Sequence, residues 1–268
     1  MFAKLCPRRS SCVRGAALRA LLACIACGSE ESPRVALPLV VDAASAAAPA
    51  TNDLGYVVTL TTARMAVRDL QFTTGGQAHA RRLDRLGERL GAWLLPRAHA
   101  HPGHQGGGEI TGELPGNHTL DWLANGTVIG TVTLITGRYR GANFTFRQAR
   151  PAELGPADVL AGHSIHLAGN ASKDGRAVAF TALIDMDEGT QVVGARFDEP
   201  VETSGAVALA LRFHPVDPTS PTLTVWNGID FFSLADGRDT IAIGPDDEAH
   251  NRLRRAFQIH GHYEVKKQ

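Results

Sequence analysis

Three of the chain's eleven histidines, His99, His101 and His104, fall within six residues. In an extended segment, residues two apart face the same side at a separation of about 6.5 to 7 Å, so His99 and His101 share a face. Pro102 and Gly103 suit the two central positions of a type II turn, which brings the Cα atoms of His101 and His104 within about 7 Å. The spacing therefore predicts that three imidazoles converge on one point.

A trio of this kind is suited to a transition metal. Neutral imidazole is a good donor to both Zn²⁺ and Cu²⁺, and copper generally binds more tightly. Three protein ligands leave a fourth position, which water, Glu109 or Glu113 could fill. The alternative is that the histidines are solvated side chains of a flexible loop, because three glycines follow them at 106–108.

A remote histidine is a further candidate for the fourth ligand, and two groups offer one. His260 and His262 face the same way if residues 260–263 are extended. His163 and His166 form the second group. The other histidines are expected to be ordinary surface or half-buried side chains: His79, His118, His214 and His250.

The H-x-H-x-x-H spacing resembles the HxHxDH motif of metallo-β-lactamase-like hydrolases. In that family the Asp before the last His joins a second metal or orients water, and here the position is Gly103. The cupin pattern also fails, because Glu109 follows His101 at too great a distance. The chain has no G-x-S-x-G elbow, phosphate loop or dinucleotide fingerprint. We therefore predict that it is not an enzyme, and a zinc-dependent hydrolase is the one catalytic alternative with residues behind it.

All four cysteines lie in the first 27 residues, so the rest of the chain has neither a disulfide nor a C-x-x-C metal knuckle. Basic residues through Arg19 and the apolar run at 20–26 are typical of a secretory signal, and the run is shorter than the roughly 20 residues that span a bilayer. Small residues lead into a cysteine twice, in LLAC and CIAC, which resembles the lipobox of bacterial lipoproteins. The resemblance implies a lipid anchor in the cell envelope, in the outer membrane facing the periplasm or the surface.

Either Cys24 or Cys27 could carry the lipid. Leu21 suits the lipobox position three residues before Cys24. Cleavage before Cys24, however, leaves a much shorter apolar run after Arg19 than the roughly 7 to 15 residues of an ordinary signal. It also leaves Cys27 as a stray thiol in an oxidising compartment. Cys27 is therefore preferred, which makes residues 1–27 the leader.

The composition changes after the leader. Residues 28–53 are rich in Ala, Pro and Ser and are expected to form a flexible tether, with the alternative that the apolar run at 35–41 forms a first strand docked on the body. Leu and Trp recur at helical spacing over 79–97, which predicts an inserted amphipathic helix. Acidic residues early and basic residues late in 247–258 predict a C-terminal helix.

The other elements are predicted to be short strands separated by Asn-Gly and Asp-Gly turns, which is typical of an all-β fold of the sandwich type. No regular alternation of strands and helices occurs, so a doubly wound parallel sheet is not expected. We predict a single, mostly antiparallel β-sandwich domain over 54–268. Its strands are expected near 56–72, 120–123, 127–136, 139–148, 164–168, 177–185, 191–198 and 206–214.

The net charge of the chain restricts the classes of molecule that it can bind. The whole chain has zero formal net charge, but residues 1–27 hold five basic side chains and no acid, so the body is mildly acidic and a poor nucleic-acid binder. Segments such as GRYRGANFTF resemble uncharacterised secreted lipoproteins of Gram-negative bacteria, which implies no activity. We predict a cell-envelope lipoprotein that binds Zn or Cu for metal capture or delivery, with the membrane and an envelope protein as its other partners. The alternative without a metal is an adhesion or interaction lipoprotein.

Overall fold

The computed structural model describes residues 33–74, 108–205 and 207–268, and all structural statements below concern these ranges. They contain thirteen strands: β1 Arg34–Asp42, β2 Ala50–Thr51, β3 Val57–Thr74, β4 Glu109–Asp121, β5 Val128–Ile135, β6 Gly137–Phe146, β7 Ile165–Lys173, β8 Arg176–Ile184, β9 Gln191–Arg196, β10 Pro200–Val201, β11 Leu209–Phe213, β12 Thr240–Ile243 and β13 Tyr263–Lys267. The helices are α1 Pro151–Leu154, α2 Phe231–Ala235, α3 Glu248–Ala256 and a 3₁₀ turn, His260–His262. The predicted all-β, sandwich-like fold is confirmed.

Eight strands pair in a closed ring. The order is β3, β6, β9, β13, β11, β1, β5, β4 and back to β3. The long strand β3 makes this possible because it changes partner along its length: residues 57–65 pair with β7, whereas residues 67–74 pair with β6. Strand β4 runs along its other edge. Strands β7, β8 and β12 extend outward from the first half of β3.

Most pairs are antiparallel, as predicted, but the sheet is mixed. In the described ranges the parallel pairs are β1 with β11, β8 with β12, and β9 with β13. The β9–β13 pair is a single backbone bridge, between Arg196 and Glu264. This bridge is therefore the narrowest join in the ring.

Alternating apolar residues build the core. Along β8, Val178, Phe180, Ala182 and Ile184 are buried while the residues between them are more exposed, which is the period of a strand with one buried face. Aromatic side chains fill the largest spaces at edge, tilted and stacked geometries. The largest fully buried side chains are Trp122, Trp226, Tyr139, Tyr263, Phe72, Phe144, Phe146, Phe197, Phe213, Phe231 and Phe257.

Residues 34–51 do not form the flexible tether predicted for 28–53. Strand β1 lies between β11 and β5, and Leu39 is fully buried while Leu37 and Val41 are almost so. The alternative of a docked first strand is the one found, because the inward side chains supply enough apolar area to offset the ordering entropy. The compact body accordingly starts at Pro33 rather than at 54.

The predicted C-terminal helix is confirmed as α3, with Glu248 in its first turn and Arg254 and Arg255 in its last. The helix predicted at 79–97 lies outside the described residues. Among the helices described, none has the length and apolar composition needed to cross a membrane.

Candidate functional site

A groove of about 410 Å³ lies where β4, β3 and β7 run side by side. Asp121, Arg64 and His166 sit directly opposite one another on these three strands. Directly opposite residues project from the same face, and neighbouring strands are about 4.8 Å apart, so the three side chains form a row across the sheet. A carboxylate, a guanidinium and an imidazole thereby line one surface.

Two threonines join the row because β3 is irregular at this point. The register with β7 shifts between Leu60 and Thr62, which leaves Thr61 as an extra residue. An extra residue breaks the alternation of side chains, as in a β-bulge. Thr61 and Thr62 consequently both line the groove although they are adjacent in sequence.

The segment Ala157–Asp158–Val159 forms the opposite wall. Arg64 donates from Nη1 and Nη2 to the two carboxylate oxygens of Asp158, at 2.8 and 2.9 Å. Oδ1 of Asp158 also accepts from the backbone N–H of Leu160 at 2.9 Å. The hydrogen bond from Arg64 lowers the pKa of Asp158, so the pair is ionised. Two parallel bonds fix the plane of the guanidinium within the groove.

His166 is half-buried beside this pair. Burial lowers its pKa, and the Arg64 guanidinium lowers it further, so the ring is neutral near pH 7. Within the part of the chain that the structure describes, its Nδ1 is buried and has no hydrogen-bond partner. A neutral imidazole carries one N–H donor and one nitrogen acceptor, so His166 has unused hydrogen-bonding capacity.

His163, the other member of this predicted histidine group, has a different partner. Its Nδ1 donates to Oδ1 of Asp185 at 3.0 Å, and His250 Nε2 accepts from the backbone N–H of Asp185 at 3.4 Å. His163 and His166 therefore do not converge. Over residues 33–74, 108–205 and 207–268, no group of three or more His, Cys, Asp or Glu side chains is arranged to hold a metal.

The extended conformation on which a shared face of His260 and His262 depends is not found. Residues 260–262 form a 3₁₀ turn rather than a strand, so His260 is exposed while His262 is fully buried. His262 Nδ1 donates to the carbonyl oxygen of His214 at 2.7 Å. Burial lowers the pKa of His262, which keeps the ring neutral inside the protein. A metal bound at the surface has no access to this side chain.

Next to His262, a ladder of alternating charge crosses four strands. Asp42, Arg212, Glu264 and Arg196 are directly opposite one another on β1, β11, β13 and β9. Each neighbouring pair forms a salt bridge: Arg212 lies 2.5 Å from Asp42 and 3.8 Å from Glu264, and Glu264 also pairs with Arg196. His214 Nε2 donates to Glu264 Oε2 at 3.2 Å. The ladder spans the narrow β9–β13 join.

Two further predicted metal ligands, the glutamates on β4, also lie within the described residues. Glu109 and Glu113 are both exposed on β4, and Glu109 is directly opposite Thr74 at the end of β3. The described residues that flank 75–107 in the sequence therefore lie side by side in the sheet. His99, His101, His104 and the lipidation candidates Cys24 and Cys27 lie outside the described residues.

The groove could not be predicted from the amino-acid sequence. Its row joins residues far apart in the chain, and only the register of β4, β3 and β7 puts them side by side. The ladder was missed for the same reason, although Tyr263–Lys267 does alternate apolar and charged residues in the way that a short strand would.

No relative was found when the chain was compared with known proteins. No protein-family model, no curated protein and no solved structure matches the chain.

Proposed function

We propose that the chain is a cell-envelope lipoprotein that binds Zn²⁺ or Cu²⁺ through His99, His101 and His104, for metal capture or delivery. The observation that carries the proposal is the H-x-H-P-G-H spacing. It allows three neutral imidazoles to meet at one point, and imidazole is a preferred ligand of both metals.

The position of Glu109 supports a fourth ligand from the same region. It is exposed and lies five residues after His104, a stretch that reaches at most about 17 Å. Glu113 lies about 13 Å further along β4. Because His262 is buried and His163 is paired with Asp185, Glu109 is the better-placed fourth donor.

Calorimetric titration of the full chain with Zn²⁺ and Cu²⁺ tests the proposal. We expect one metal per chain, and loss of binding when His99, His101 and His104 are all changed to Ala. The matched control is His118→Ala, which removes an imidazole whose one hydrogen-bond partner in the described part of the chain is the Pro115 carbonyl. Equal binding by wild type and the triple variant contradicts the proposal and favours the interaction lipoprotein.

Single substitutions identify the fourth ligand. We expect Glu109→Gln to weaken binding about tenfold or more, because the metal loses an anionic donor. Glu113→Gln should bind as wild type does. If neither variant changes the affinity, the fourth position belongs to water or to a remote histidine such as exposed His260.

The lipid anchor is tested separately by the intact mass of the membrane-bound chain. Cys27→Ala should abolish both the acyl mass increment and membrane retention, whereas Cys24→Ala should preserve both. The reverse pattern would place the lipid on Cys24.

A further inference from the structure

The groove beside Arg64 has the donor and acceptor balance of a site for a neutral ligand. Asp121 and Asp158 are anionic, Arg64 is cationic and His166 is neutral, so charges of both signs are interleaved along one row. A simple anion would meet two carboxylates, and a simple cation would meet the guanidinium. Neither kind of ion is matched by the whole lining.

Enough hydrogen-bonding capacity remains in the groove for a polar ligand. Arg64 donates to Asp158 through one N–H on each Nη, and a guanidinium carries five N–H groups in all. Asp121 accepts from the Leu123 N–H through Oδ1, at 3.0 Å, and Oδ2 is its second acceptor. The imidazole of His166 and the hydroxyls of Thr61 and Thr62, which belong to residues that line the groove, add groups that can donate or accept.

Apolar surface accompanies these polar groups. Leu123 lies on one wall, and Ala157 and Val159 lie on the other, with Val159 52% exposed. A volume of about 410 Å³ falls in the range of small-molecule sites, which combine apolar walls with a few fixed polar groups. The surface therefore suits a ligand that presents both hydroxyl groups and C–H faces.

We propose that this groove binds a neutral saccharide, with Arg64, Asp121 and His166 bonding its hydroxyl groups. A sugar hydroxyl donates one hydrogen bond and accepts two, which matches a lining that mixes donors with acceptors. The bidentate Arg64–Asp158 pair holds the guanidinium in place before the ligand arrives, which limits the ordering cost of binding. The site is independent of the proposed metal loop.

An array of neutral and charged oligosaccharides, probed with the fluorescently labelled full chain, tests the proposal. We expect retention on neutral saccharides and at least tenfold weaker retention of Ala157→Trp, whose indole fills the groove from its exposed wall. The matched control is Ala152→Trp, which adds the same side chain at an exposed position of α1 that does not line the groove. This control should bind as wild type does.

A second variant keeps the test decisive if Ala157→Trp is unstable. Asp121→Asn retains an oxygen for the Leu123 N–H and removes only the charged acceptor, so titration with a saccharide found on the array should show about tenfold weaker binding. Three results would overturn the proposal: no retention of wild type on neutral saccharides, retention on charged ones alone, or equal binding by wild type and both groove variants.

Discussion

At the scale of single residues, buried histidines are the most consequential groups in the protein. Burial lowers the pKa values of His214, His250 and His262, and also that of half-buried His166. Each ring therefore stays neutral in the folded state at a pH where the unfolded chain takes up a proton. The stability of the fold should depend on pH through these groups.

For His262, the direction of the pH effect on stability and the pH range in which it acts follow from the change in its pKa on folding. Its pKa is about 6.5 in the unfolded chain and lower in the folded protein, because burial outweighs the opposing influences of Asp217 and the His214 carbonyl. The contribution of neutral His262 to the stability of the fold is fully present above pH 6.5. It is lost as the pH falls toward the pKa of His262 in the folded protein. Lowering the pH from 7.5 to 5.5 should therefore reduce the stability of the fold, because the unfolded chain takes up a proton that folded His262 does not.

Urea unfolding at the two pH values checks this. His262→Gln should flatten the pH dependence of the unfolding free energy, since glutamine does not titrate. His118→Gln is the control, because it makes the same change of side chain at a ring that is not buried. An unchanged dependence in His262→Gln would contradict the assignment.

At the scale of elements, a substitution in β1 tests whether residues 34–42 are packed as a strand or form a flexible tether. Leu39 is fully buried, so Leu39→Ala should lower the unfolding free energy by about 2 to 5 kcal/mol through lost burial and the cavity left behind. Arg34→Ala, at the exposed start of β1, should change it by less than about 0.5 kcal/mol. Chemical denaturation measures both changes. If Leu39→Ala left the free energy of unfolding unchanged, residues 34–42 would behave as part of a flexible tether.

Strand β7 depends on a glycine where it meets the irregular part of β3. A Cβ at Gly169 would collide with the backbone carbonyl of Thr59, and backbone cannot move aside as a side chain tip can. Gly169→Ala should therefore cost about 1 to 3 kcal/mol. At Gly244 a Cβ meets nothing and φ is not positive, so Gly244→Ala should be tolerated in the same thermal unfolding measurement.

The elements also show what a sequence can predict. Strong alternation and Asp174–Gly175 made β8 predictable, together with the first half of β7, and the structure has a positive φ at both turn residues. All of β4 before Leu120 was missed because Gly112, Pro115 and Gly116 normally interrupt strands; here the register with β3 is irregular around them. Strand β13 is short and terminal, so its pattern was too brief to distinguish.

At the scale of the whole molecule, the ring of strands depends on its narrowest join. One backbone bridge links β9 to β13, and the Glu264 carboxylate reinforces it through Arg196, Arg212 and His214. Glu264→Gln should lower stability by about 2 kcal/mol, because it removes the charge from a buried acceptor with several partners. Amide hydrogen exchange should rise in β9 and β13 before it rises in β7 and β8.

The control is Glu248→Gln. That side chain pairs with Arg252 one helical turn away but is 75% exposed, so its loss should change stability by less than about 0.5 kcal/mol. Equal effects of the two substitutions would show that the ladder does not support the ring. The sequence alone does not indicate which of these two glutamates contributes more to stability, because the difference between them lies in pairing across strands.

Thr74 and Glu109 are directly opposite each other at the end of an antiparallel pair, so the sheet itself does not require the 34 residues that separate them in the sequence. Two opposed residues at the end of an antiparallel pair can be joined by a two-residue Asn-Gly turn. A shortened chain with that junction should keep the same sheet, and calorimetric titration should show that it has lost the metal binding proposed for the histidine trio.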